Sequence, residues 1–230
     1  MPRNRSTKFI VASGALVVAL IVSAVSCQTG PRPTFGPATT QASIADRAIA
    51  DVMNRLATEM TSPFTVTYDT MTKFGGRQST AQVTFDPELG YAVLIDSTLF
   101  VFPVGDISRT CRWSEELLVV DGCVAGIDET RVSDLGLNSR SFTSAASDRL
   151  RQDAQVATGP AAARSITEAD HDAVCADVPV VDGNGAPRTK SYCAFTDLPV
   201  ISSLDTADLS VVAVFVDNIA TVALLQPDSP

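Results

Sequence analysis

Histidine is almost missing from this chain, since His171 is the one histidine among 230 residues. A catalytic triad or a histidine metal site would therefore have to use it. The sequence also contains no G-x-S-x-G elbow, no phosphate-binding loop and no dinucleotide fingerprint. His171 lies in a polar segment between Asp170 and Asp172, which favours a solvent-facing residue over a base oriented by a carboxylate. We therefore expect no enzymatic activity and no cofactor.

Basic side chains are scarce as well, with 17 arginines and lysines against 26 aspartates and glutamates. The first 26 residues hold three of the basic residues and none of the acidic ones. The remainder therefore has a net charge of −12. Such a surface cannot neutralise phosphates, so no nucleic-acid partner is expected. We interpret the scattered acidic residues as a solvated surface.

Cysteine is limited to five residues, and one of them, Cys27, directly follows a leader-like segment. The even remainder predicts two disulfides, for which three connectivities are open. We favour the local pairs, because Cys175 and Cys193 lie symmetrically about the Gly-rich turn at Asn184 and Cys111 and Cys123 close a short loop. A four-cysteine zinc site would need close pairs such as C-x-x-C, which are absent, so no metal is expected.

The N-terminus combines three basic residues, an uncharged apolar stretch over residues 9–25 and the small residues Ser23–Ser26 before Cys27. This order is typical of a secretory signal peptide. With the cysteine, it resembles the bacterial lipoprotein signal, although Ala24 stands where that family prefers leucine. The resemblance implies a diacylglycerol on the Cys27 thiol, usually with a further acyl chain such as palmitate on the new N-terminus. An ordinary leader with a chance cysteine, or an uncleaved membrane anchor, is the alternative.

The chain divides at changes in composition. Residues 1–26 are the lipoprotein signal peptide, 27–41 the lipidated cysteine with a Pro/Thr-rich tether, 42–226 a single domain and 227–230 a C-terminal tail. We therefore expect a lipid-anchored protein on the extracytoplasmic face of the cell membrane, because two acyl chains hold a protein on a bilayer.

Periodicity within the domain first predicts a helix over about 42–60 and then alternating strands. A second helix is predicted over 141–156, and a strand-like segment over 166–181. The last residues, 209–216 and 219–225, are predicted to form a hairpin around Asp217-Asn218.

This order of a lipoprotein signal, a tether, a helix and an antiparallel meander beginning Phe64-Thr65-Val66-Thr67 resembles the LolA-like group of envelope proteins. That group includes the LppX/LprG-type lipoproteins of actinobacteria and the RseB-like regulators. The resemblance implies an α+β fold, in which a bent antiparallel sheet, an unclosed half-barrel, is covered by helices on its concave face. It also implies that a lipid or other apolar ligand is sheltered between sheet and helices.

One apolar face of the meander is the candidate ligand site. A two-residue turn at Gly75-Gly76 would place Val66 opposite Phe85 and Tyr68 opposite Val83. The length of the turn after the third strand decides which residues of the fourth strand join this face, either Phe100 with Phe102 or Leu99 with Val101. The candidate lining residues are Val66, Tyr68, Val83, Phe85, Val93, Ile95, Phe100 and Phe102. The alternative is that this face is a filled core.

The sequence therefore predicts an extracytoplasmic lipoprotein that binds a lipid or other apolar ligand, with carriage of that ligand as a further role and no covalent chemistry. The alternative is an RseB-like sensor or protein-interaction module of the cell envelope, whose protein partner the sequence does not identify.

Overall fold

The computed structural model describes residues 44–114 and 119–226. The predicted signal peptide, Cys27, the tether and the tail at 227–230 lie outside these residues. Within the described part, eleven strands form one antiparallel sheet with the order β6-β5-β4-β3-β2-β1-β11-β10-β9-β8-β7. The sheet is unclosed, and a few helices accompany it. The expected large antiparallel sheet is therefore present.

The order of helices and strands along the chain is in outline the one that the period-two and period-3.6 patterns predict. The strands are β1 (Phe64–Thr72), β2 (Gln78–Asp86), β3 (Gly90–Ile95), β4 (Thr98–Pro103), β5 (Arg109–Ser114), β6 (Val119–Ala125), β7 (Ala162–Glu168), β8 (His171–Val181), β9 (Pro187–Phe195), β10 (Ile201–Asp205) and β11 (Leu209–Asp217). The helices are α1 (Ile44–Leu56), a 3-10 helix (Glu129–Leu135), α2 (Ser144–Gln155) and α3 (Val222–Leu225). None of the described helices is long and apolar enough to cross a membrane.

The main core lies between one face of the sheet and the helices, and we call this the helix-covered face. Ala48 and Val52 of α1 and Leu150 of α2 belong to the same buried cluster as Val66 and Val83 of the sheet. Apolar residues at three-to-four spacing give each helix one buried stripe, and alternate strand positions give the sheet its buried face. The two periodicities meet in this core.

The register between β1 and β2 differs by two residues from the predicted one. Val66 pairs with Val83, and Phe85 pairs with Phe64. The loop is longer than two residues, because the Thr72 N–H donates to the Arg77 carbonyl. A register shift of two residues leaves the same side chains on the same face of the sheet. The predicted face is therefore correct although the predicted register is not.

The turn between β3 and β4 places Ile95 opposite Thr98, so that Phe100 pairs with Val93. Phe100 and Phe102 therefore share the helix-covered face, and Leu99 points to the other side of the sheet, where it joins a second cluster. This resolves the alternative that the sequence left open.

Residues 166–181 do not form one strand. β7 ends at Glu168 and β8 begins at His171, with Ala169 and Asp170 both at positive φ in the turn. Positive φ at two successive residues is typical of a tight hairpin turn, for which aspartate is favourable.

The predicted final hairpin is wrong. After β11, the chain folds back over the sheet face opposite α1 and α2, and the short helix α3 lies on that face. The hydroxyls of Thr65 and Thr84 accept hydrogen bonds from the Thr221 N–H, at 3.1 and 2.9 Å, and both threonines are buried. Leu224 and Leu225 then cover Ala92, Leu99, Val101 and Cys111 in the second, smaller core.

Both predicted disulfides are present, as Cys111–Cys123 and Cys175–Cys193. Cys175 and Cys193 are directly opposed in the β8–β9 ladder, as the symmetry about Asn184 indicates. Cys111 and Cys123 join β5 to the edge strand β6.

Candidate functional site

The central part of the predicted ligand face is closed. Val66, Val83, Val93 and Phe100 follow one another across four strands, and each has 0% exposure. The next position across the same strands contains Tyr68 and Ile95, which are equally buried. A ligand would reach these six side chains only if the covering segment moved.

Tyr68 shows how this closure is held. Its ring centroid lies 4.6 Å from that of Phe142, which precedes α2, and its hydroxyl donates to the Ile201 carbonyl at 2.8 Å. Burial raises the pKa of Tyr68 well above its ordinary value, so the hydroxyl stays a donor. Tyr68 is therefore a fully satisfied core residue.

The neighbouring position across the same four strands is more open. It contains four aromatic side chains, and we call it the aromatic row: Phe64, Phe85, Tyr91 and Phe102. Phe64 is buried, whereas the other three are half-buried and pack against the main core. The ring centroids of Phe64 and Phe85 lie 5.9 Å apart, and those of Tyr91 and Phe102 lie 5.8 Å apart. The predicted residues Phe85 and Phe102 thus lie at the accessible end of the face.

Tyr91 carries the one polar group of the aromatic row. Its hydroxyl oxygen is buried and makes no hydrogen bond of acceptable geometry with any described residue. Burial raises the pKa of Tyr91, while the side chain of Thr143 opposes that rise. Thr143 is thus close enough to influence Tyr91 but does not satisfy its hydrogen bond.

An unpartnered buried hydroxyl costs about 1–3 kcal/mol. It is therefore the feature of this face that most needs an explanation.

Met53, Met60 and Ile127 are partly buried against the main core. Methionine adapts its shape to irregular apolar partners because its side chain is unbranched.

Polar contacts of two α2 residues, Asp153 and Arg149, hold the helix over the sheet. The Asp153 carboxylate, 7% exposed, accepts from Lys190 Nζ at 2.6 Å and from the Tyr192 hydroxyl. One turn earlier, Arg149 pairs with Asp208 in the β10–β11 turn. Burial, and then the bond to Asp153, raise the pKa of Tyr192. These contacts are structural, since every charged partner in them is satisfied.

His171 lies elsewhere, at the start of β8. Its Nδ1 is 2.8 Å from Asp197 Oδ2, and its ring meets the edge of Phe195 at 5.9 Å between centroids. The imidazole is 21% exposed, so it is partly open to solvent while the Asp197 carboxylate orients it. Among the described residues, no group of three or more histidine, cysteine or acidic side chains is arranged to hold a metal ion.

Sequence reasoning missed Tyr91, although the signal was present. Tyr91, Val93 and Ile95 alternate along β3, so the period of two that selected the last two also selects the first.

Comparison with known proteins gives only distant matches. No family model matches the sequence, and no curated protein is similar to it. Among solved structures, the chain is similar to the one described as MucB in complex with MucA(peri), with 16% identity and a TM-score of 0.38 over 79% of this chain. The chain spans 59% of that structure's length.

A second similar structure is the LolA superfamily protein NE2245 from Nitrosomonas europaea. Identity is 9% and the TM-score 0.30, over 74% of this chain and 92% of the other.

Proposed function

We propose that this protein binds an amphiphilic ligand, a lipid or another molecule with an acyl chain, at the aromatic row. The observation that supports this most is the buried, unpartnered hydroxyl of Tyr91 within a row of half-buried aromatic rings. Once the side chains over the buried Tyr91 hydroxyl move aside, a polar group on the ligand would supply the hydrogen bond that Tyr91 lacks, and the ligand's chain would cover Phe85 and Phe102. The buried candidate residues at the centre of the face, such as Val83 and Val93, would then pack beside the site without contacting the ligand.

The energetics favour such a ligand. Covering exposed apolar surface contributes about 25 cal/mol per Å². Satisfying a buried hydroxyl recovers part of its desolvation cost. A purely apolar ligand would gain the first contribution but leave Tyr91 unsatisfied, so the site should prefer an amphiphile over an alkane.

The same proposal includes attachment to the membrane and binding of the ligand without a chemical reaction. The lipoprotein signal supports anchoring through Cys27 on the extracytoplasmic face of the membrane, where acyl chains are abundant. The aromatic row offers a hydroxyl and apolar rings, and no nucleophile paired with a base, so binding without covalent change is the role we infer.

The test uses cells that produce the full chain and are fed a photoactivatable fatty acid. After irradiation, cross-linked peptides are mapped by mass spectrometry. We expect cross-links within residues 85–102, with a several-fold loss in Phe102→Ala. Phe74→Ala is the matched control, because Phe74 is 78% exposed in the β1–β2 loop and outside the row.

Label on the peptide containing Cys27 would report the anchor and not the site. Cross-links absent from residues 85–102, or unchanged in Phe102→Ala, would refute the proposal.

A second candidate, a protein-interaction module, is favoured by one observation. On the sheet face opposite α1 and α2, Val212, Val214 and Phe215 of β11 are 37–55% exposed. Clustered exposed apolar side chains are a feature of interaction sites.

A further inference from the structure

A groove of about 450 Å³ crosses the sheet face opposite α1 and α2. It lies over the interior strands β1, β2 and β11, and we call it the outer groove. Its walls contain Asp69, Met71, Thr80, Asp96 and Val212, together with Thr70, Gln78, Ser79 and Ser210. It is separate from the aromatic row, because Asp69 and Met71 alternate with residues of the helix-covered face.

The outer groove is acidic. Asp69 is exposed, and no described residue forms an ion pair or hydrogen bond with its carboxylate. Asp96 accepts from the Thr80 N–H at 3.3 Å and has Arg77 at a loose 3.7 Å. No basic side chain lines the groove among the described residues. Lys73, which follows β1, is already paired with Asp205.

Apolar side chains lie directly beside these carboxylates. Val212 is the cross-strand partner of Asp69, at 37% exposure, and Met71 lies two residues along β1, at 39%. Phe215, opposite Thr67, extends the apolar surface along β11 at 55% exposure. Cross-strand neighbours are about 5 Å apart, so one side chain of a partner can contact a carboxylate while the next contacts an apolar group.

The partner must be recognised through side chains. β1, β2 and β11 are interior strands whose backbone groups are used in the ladders on both sides, so strand addition is not available here. A surface that alternates carboxylate and aliphatic groups is complementary to a segment that alternates basic and aliphatic groups.

We propose that the outer groove docks a basic, amphipathic peptide segment of a partner protein, with a lysine or arginine at Asp69 and Asp96 and aliphatic side chains on Met71 and Val212. This inference rests on the interaction-module candidate and is independent of the aromatic row. The negative charge of the chain steers such a segment towards the surface.

The test uses the full chain in phosphatidylcholine nanodiscs and two synthetic peptides, one alternating lysine with leucine and one alternating glutamate with leucine. Fluorescence anisotropy measures the binding of each. We expect the lysine peptide to bind and the glutamate peptide to bind at least tenfold more weakly. Raising the salt concentration should weaken the lysine peptide, because the groove carboxylates are exposed to solvent.

Two pairs of variants locate the site. Asp69→Asn should weaken the lysine peptide about two- to fivefold, the range for an exposed ion pair. Asp51→Asn, an exposed carboxylate on α1, should leave binding unchanged. Val212→Ser should weaken binding, whereas Val124→Ser, with a comparable 46% exposure on β6, should not.

Several results would overturn the inference. Equal effects of Asp69→Asn and Asp51→Asn would mean that the peptide responds to overall charge, not to the groove. Equal binding of both peptides would show that the groove carboxylates do not recognise the partner. Self-association of the chain that Val212→Ser abolishes would assign the groove to a second copy. Loss of ligand binding at the aromatic row would not change peptide binding at the outer groove. The two proposals can therefore be refuted independently.

Discussion

At the scale of single residues, Tyr91 is the most informative side chain, because its environment suits a ligand better than it suits the fold. Tyr68 and Tyr192 are also buried, but each donates its hydroxyl hydrogen bond within the protein. Tyr91 does not. A residue that carries a stability cost without a structural return points to a function.

Tyr91→Phe separates these two roles. Removing an unpartnered buried hydroxyl should leave the free energy of unfolding unchanged or raise it by about 1 kcal/mol. Binding of an amphiphile should weaken in the same variant. Tyr68→Phe is the control, since it removes a satisfied hydrogen bond and should lower stability by about 1 kcal/mol. Urea unfolding measures both, and a clear loss of stability in Tyr91→Phe would show that the hydroxyl is already satisfied.

Gly90 is a second position where one atom matters. Its φ is +116°, and a Cβ there would lie 2.2 Å from the Phe102 carbonyl oxygen. We expect Gly90→Ala to destabilise the protein by about 3 kcal/mol, from backbone strain and from the displacement of β4. Gly76→Ala, at a positive φ but with open space around it, should cost about 1 kcal/mol. Thermal melts that rank these two variants in the opposite order would contradict the β3–β4 geometry.

At the scale of elements, the sequence predicts which segments are strands and which side of each strand is buried. It fails where a side-chain hydrogen bond decides the outcome. The β1–β2 loop is longer than Gly75-Gly76 indicates, because the Thr72 hydroxyl donates to the Phe74 carbonyl and accepts from the Arg77 N–H. That local chemistry fixes the register but is not visible in hydrophobic periodicity.

The C-terminus shows the same limit. Residues 219–225 are apolar enough for a strand, yet Thr65 and Thr84 hold them across the sheet as a turn and a short helix. The partners are more than 130 residues apart in sequence. For the site, alternation along the strands selects the side chains of the aromatic row, but hydrophobic periodicity does not show that three of them stay half-buried.

The Cys175–Cys193 disulfide joins the two strands of the β8–β9 hairpin. Cys175→Ala/Cys193→Ala should lower the free energy of unfolding by about 2–4 kcal/mol, because the bond restricts the unfolded chain. Urea titrations with and without a reducing agent measure this. If reduction left the midpoint of the parent protein unchanged, the pairing would make no contribution to stability.

At the scale of the whole molecule, α2 closes the main core and is held to the sheet by ion pairs, so closure should depend on pH. Burial raises the pKa of Asp208, but the hydrogen bonds from Arg149 and Thr206 outweigh it and leave that pKa below its ordinary value. A carboxyl with a lowered pKa in the folded state stabilises the protein above its unfolded value, near 3.9. This stabilisation is lost as the pH falls below about 4.

Asp208→Asn should therefore cost up to about 1 kcal/mol at pH 7, because the pair is partly exposed, and less at pH 3. Unfolding in urea at pH 7, 4 and 3 measures the difference from the parent protein, with Asp51→Asn as a control for a general loss of charge. A difference that grew as the pH fell would contradict the assigned role of the pair.

The central claim is that the aromatic row holds an amphiphile, and native mass spectrometry of the purified full chain tests it most directly. We predict a noncovalent adduct in the mass range of a lipid, released by collisional activation, with several-fold lower occupancy in Phe102→Ala and unchanged occupancy in Phe74→Ala. Bare protein with no adduct, or the same occupancy in all three proteins, would contradict the account.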